Sequence, residues 1–135
     1  MNAYARFLSS LLAEFRPRAQ AHLGSLWIDW MDLEWATDDE TRFAATQRAL
    51  RRIRTFGRAA NAINAHHARA CSRVLEQRLR TLACARAAAD QESFDALRQA
   101  TNKLTEALSS IDLETLTSEP AGQPTERALV QSCAD

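Results

Sequence analysis

ETRFAATQRALRRIRTFGRAANAINAHHARACSRVLEQRLRTLACARAAA, residues 40–89, is the stretch whose reading decides the fold. It contains no proline and a single glycine, Gly57. On a helical wheel Leu50, Ile53, Phe56, Ala60, Ile63, Cys71, Val74, Leu75, Leu79 and Leu82 share one half, the face a bundle would bury. This pattern predicts a single long or mildly bent helix of about 75 Å. Two helices broken around Gly57 to Asn64 are the alternative.

Residues 41–89 of this stretch carry eleven arginines against one acid, Glu76, whereas the segments before and after are acidic, with net charges of −4, +10 and −6 for residues 1–40, 41–89 and 90–135. A solvated helix normally interleaves the two signs, because like charges four residues apart cost a few tenths of a kcal/mol. Arg48, Arg51, Arg52, Arg54, Arg58, Arg69, Arg73 and Arg80 fall opposite the apolar half, with only Arg78 turned toward it. On one straight helix they would form a ridge about 48 Å long. A one-sign ridge suits a phosphate backbone, read without sequence preference, and the guanidinium fork holds phosphate bidentately. No aromatic residue is interleaved with these arginines, so base stacking is not expected there. A competing arrangement packs the ridge against the chain's own acids, Asp29, Asp32 and Glu34 before it and Glu92, Asp95 and Glu106 after it.

Upstream, residues 3–15 predict a helix with Tyr4, Phe7, Leu8, Leu11, Leu12 and Phe15 at helical spacing, ended or kinked near Arg16 by Pro17. Residues 19–35 predict a second, with Leu23, Leu26, Trp27 and Trp30 on one side. Ile28, Met31 and Trp35 then point elsewhere and form a candidate partner interface, since Trp and Met anchor interfaces. Thr37 or Asp38 is a candidate N-cap. Downstream, Asp90 to Ser93 offers a break, and Phe94, Leu97, Thr101, Leu104, Leu108 and Ile111 form a heptad seam. The fold class is therefore all-α: a bundle of three to five helices over residues 1–116 with one long basic central helix, followed by a disordered tail over 117–135.

Several functions find no support. There is no phosphate loop, no nucleophile with a placed base and no carboxylate pair in an apolar stretch, so an enzyme is not expected. His67 and Cys71 have half the spacing of a zinc site without a second pair, and read as a packed histidine and a packed free cysteine, with no metal or cofactor. His66 sits at the edge of the arginine face, and Asn64 reads as a packing polar group near the seam. No apolar run reaches membrane-spanning length. Cys71 and Cys84 lie too far apart along one helix to bridge, which points to a reducing cytoplasm.

In size, helical content and one basic face, residues 1–116 resemble the small subunit of CRISPR effector ribonucleoprotein complexes. The resemblance is one of architecture and transfers no individual residue. It implies a non-catalytic cytoplasmic subunit that lends positive charge to RNA or single-stranded DNA beside other protein subunits, including further copies of itself. The alternative is a protein-only helical adaptor, of chaperone or granule-coat type, that self-associates through its acidic and basic blocks.

Overall fold

A computed structural model of the chain describes residues 3–84, 91–112 and 116. Four helices account for nearly all of them: α1 (Ala3–Trp35), α2 (Asp39–Ala62), α3 (His66–Cys84) and α4 (Gln91–Ser109). Each packs on its neighbour in sequence, and α4 closes the ring against α1. The result is an up-down-up-down bundle. The tail expected over 117–135 lies outside the described residues, as do residues 85–89 of the predicted long helix.

The central basic stretch is not one helix. It folds back at Ile63, Asn64 and Ala65, and α2 and α3 pack against each other as an antiparallel hairpin. Asn64 has φ 62°, in the left-handed region where asparagine is one of the few tolerated side chains. The Asn64 amide donates to the Asn61 carbonyl (3.1 Å) and the Ala65 amide to the Ala60 carbonyl (2.8 Å), the two bonds of a Schellman turn. Buried Ala60 and Ala65 supply its apolar contact. Asn64 is thus a helix terminator and not a packing group, and its exposed amide donates to the Tyr4 hydroxyl at 3.4 Å. Gly57 lies inside α2, where a Cβ would meet Ser72 Oγ at 2.9 Å. Glycine there lets the hairpin's two helices approach.

Pro17 neither ends nor visibly divides α1, which runs unbroken through it. The buried stripe Leu8, Leu12, Phe15, Ala19, Leu23, Leu26, Trp30 and Leu33 continues across the proline, which is itself exposed. Proline inside a helix costs about 3 kcal/mol. Two buried side chains of leucine or phenylalanine size offset that, at about 1.5–3 kcal/mol each. Phe15 packs on Phe56 of α2 with ring centroids 5.7 Å apart, and Arg16 Nη2 donates to the Ile111 carbonyl at 2.6 Å. The chain is therefore held just before Pro17 by Phe15 and Arg16, and just after it by the buried Ala19.

Asp38 caps α2, accepting from the Thr41 amide at 2.6 Å, and Asp39 and Glu40 sit in the positive first turn. The α4 seam is buried as its heptad predicts, with Thr101 at its centre. The indole N–H of buried Trp30 donates to Thr101 Oγ1 at 2.9 Å, and Thr101 donates in turn to the Leu97 carbonyl. This bond fixes the level at which α4 sits on α1.

Candidate functional site

The fold-back redistributes the eight arginines into three groups. Arg48 and Arg52 turn toward α1, where Asp29 lies at 1% exposure between Leu26 and Leu33. Arg52 Nε donates to Asp29 Oδ2 at 2.9 Å, and Arg48 reaches both Asp29 (3.4 Å) and Asp32 (2.9 Å). These two therefore serve the α1–α2 interface, in line with the arrangement in which the chain's own acids meet the arginines. The helical spacing of Asp29 with Leu26 and Leu33 already put this carboxylate on the core side. Its position was the available signal.

The second group lines a cavity of about 210 Å³ between α2 and α3. Arg54, Arg58 and Asn61 contribute from α2, and Arg69, Arg73 and Glu76 from α3, with Gly57 and Ser72 between them. Both triplets have i, i+4, i+7 spacing, so each projects from one helix face. The antiparallel turn at Asn64 sets the two faces opposite each other. Arg69 Nη1 donates to Asn61 Oδ1 at 2.9 Å, tying the helices across the groove. Ser72 Oγ donates to the Arg69 carbonyl at 2.7 Å.

Glu76 is the one acid of the groove wall. Its carboxylate accepts from Arg54 Nε (2.8 Å) and Arg80 Nη2 (3.2 Å). Partial burial pushes this carboxyl up, but the hydrogen bonds and charges of Arg54 and Arg80 together outweigh it and hold it below the usual range. Four guanidinium groups thus share a wall with a single carboxylate. The third group is Arg51 and Arg80, both exposed on the outer surface, with Arg80 engaged by Glu76. No continuous ridge of 48 Å is present. Arg78, expected to face the core, is exposed instead.

Ile28, Met31 and Trp35 are exposed to 60, 60 and 80% on α1, while Trp27 is half-buried against the core. His66 is exposed, and so is His67, which the wheel had turned inward. The Cys71 sulfur lies 3.9 Å from His67 Nε2. Cys71 is disulfide-bonded, not the free thiol expected. Among the described residues, no group of three His, Cys, Asp or Glu side chains is placed to hold a metal ion. No described helix is long and apolar enough to cross a membrane.

A second cavity, of about 350 Å³, opens between α1 and α2 over Phe15, Ala19, Phe56 and Ala59, with Glu14, Arg18 and His22 among its lining residues. Burial first, and then the Arg52 charge, push the His22 imidazole below its ordinary value. The folded state thus favours neutral His22, and below the ordinary histidine value the unfolded chain binds more protons. Stability conferred by His22 is present above that value and is lost as pH falls through the lowered one. Melting temperature should therefore drop as pH falls below the ordinary histidine value of about 6.5, and drop less in His22→Gln. Equal slopes for the two proteins would remove His22 as the cause.

Against known protein families, curated proteins and solved structures, the chain shows no match.

Proposed function

We propose that this protein binds the phosphate backbone of a nucleic acid, RNA or single-stranded DNA, in the α2–α3 groove, as a non-catalytic helical subunit of a nucleoprotein assembly. The observation that carries this reading is the convergence of Arg54, Arg58, Arg69 and Arg73 on one cavity against Glu76 alone. Guanidinium groups held along a groove suit successive phosphates, and the Arg69–Asn61 bond keeps one of them positioned before any ligand arrives. Such a site tracks backbone charge and reads no sequence. The small subunits of CRISPR effector complexes are one form that such a role takes. The cysteine argument for a reducing cytoplasm falls away, because Cys71 is in a disulfide.

The test is fluorescence anisotropy with labelled mixed-sequence RNA and DNA strands over a salt series. A groove that contacts about three or four phosphates should give a slope of log affinity against log salt of about −2 to −3. Changing Arg54, Arg58, Arg69 and Arg73 together to Ala should weaken binding at least about tenfold and flatten that slope. Helicity of the variant is checked first by circular dichroism. Absence of binding by the parent at low salt, or equal binding by the variant, rejects the groove.

A second reading, a protein-docking adaptor, is favoured by the exposure of Ile28, Met31 and Trp35 on a helix whose opposite face is fully packed.

A further inference from the structure

The solvent face of α1 has a second peculiarity besides its three large apolar residues. Gly24 sits in the middle of this helix, and a Cβ added there would meet nothing within 4 Å. Glycine inside a helix costs about 1 kcal/mol relative to alanine. Packing within the chain gives no reason for it, unlike Gly57. What a bare helix surface permits is close approach by something outside the chain.

At 100° per residue, Ala13, Pro17, Ala21, Gly24, Ile28, Met31 and Trp35 fall within an arc of about 80° on the side away from the core. All seven are exposed, and no charged residue lies in the arc between them. The strip is about 33 Å long. It is also graded: small residues occupy the half before Gly24 and bulky ones the half after it. A strip of this kind is complementary to itself when two copies run antiparallel.

We propose that α1 is a homodimer interface in which two copies pair antiparallel about a two-fold axis at Gly24. In that register Gly24 meets Gly24 of the second copy, and Ile28, Met31 and Trp35 lie over its Ala21, Pro17 and Ala13. The same register sets Asp32 between Glu14 and Arg18 of the other copy, twice by symmetry, so one guanidinium meets two carboxylates there. All three residues are exposed at one edge of the strip. Asp32 uses one oxygen for Arg48 and retains capacity to accept from a second guanidinium. A strip one helix wide covers about 350 Å² per copy, less than the roughly 800 Å² of a standard interface. The dimer therefore depends on concentration, with Trp35 and Met31 as its anchors. This proposal is independent of the arginine groove, which lies on the opposite helix pair.

Sedimentation velocity without nucleic acid, from about 1 to about 100 μM, should show a monomer passing to a dimer. Met31→Arg with Trp35→Arg, both on exposed positions, should hold the protein monomeric with unchanged helicity. The register is read by cysteine cross-linking beside the parent's own cysteines. Gly24→Cys should form a symmetric intermolecular disulfide under mild oxidation. Ala21→Cys and Ile28→Cys should cross-link efficiently only when the two proteins are mixed. A monomer throughout the range overturns the proposal. So does a dimer that survives the double arginine variant, or one that Gly24→Cys fails to cross-link, since another surface would then hold it.

Discussion

Trp30→Ala should cost about 4 kcal/mol of folding stability, enough to lower the melting temperature by about 12 °C in a chain of this size. Trp30 is 2% exposed and among the largest fully buried side chains of the core. Truncating it opens a void on the α4 side of α1 and removes the donor to Thr101. The two contributions separate in a double-mutant cycle. Thr101→Val leaves the indole N–H buried without an acceptor and should cost about 1–3 kcal/mol. Trp30→Phe removes that N–H but keeps most of the ring, so Thr101→Val made on top of it should cost much less. Additive costs in the cycle would show that the indole–threonine bond contributes nothing beyond packing.

The second large effect concerns Asp29. Its carboxylate is buried, while Arg48 and Arg52 remain about one third to two fifths exposed in their side chains. Removing one member of a buried ion pair commonly costs about 3–5 kcal/mol, because the other charge is stranded. Here the stranded arginines can turn to solvent. The expected cost of Asp29→Ala is therefore about 2 kcal/mol, measured by chemical denaturation. Asp29→Leu should recover part of it, since its helical neighbours Leu26 and Leu33 are buried apolar residues. A change of less than about 0.5 kcal/mol in Asp29→Ala would mean that the three-residue cluster does not hold α1 to α2.

The helical class, the α4 seam and the cap at Asp38 were legible because each rests on local spacing: a heptad, or a side chain reaching three residues ahead. The two misjudged helix boundaries share a different cause. At Pro17 a local penalty is outweighed by burial on both flanks, which no local rule sums. At Asn64 the apolar period runs on through the turn, and the break is set by one backbone angle at one residue. The arginine site inherited that second error. The eight arginines do lie off the buried face, but a straight helix would spread them into a ridge. The hairpin folds four of them around a cavity and sends two to Asp29. The exposure of Ile28, Met31 and Trp35 was legible, because residues 25–35 carry more apolar bulk than one buried stripe can absorb.

The turn at Ile63, Asn64 and Ala65 has a consequence for the population as well as for the single molecule. Its two flanking helices keep one apolar period in phase, so straightening the turn would leave a continuous amphipathic rod with no helix lost. In such a rod α3 and α4 still need the faces of α1 and α2, and a second straightened chain offers them. Short hinges joining elements that can continue into one another are where protomers exchange halves. The left-handed backbone at Asn64 is therefore what folds α3 back onto α2 of its own chain.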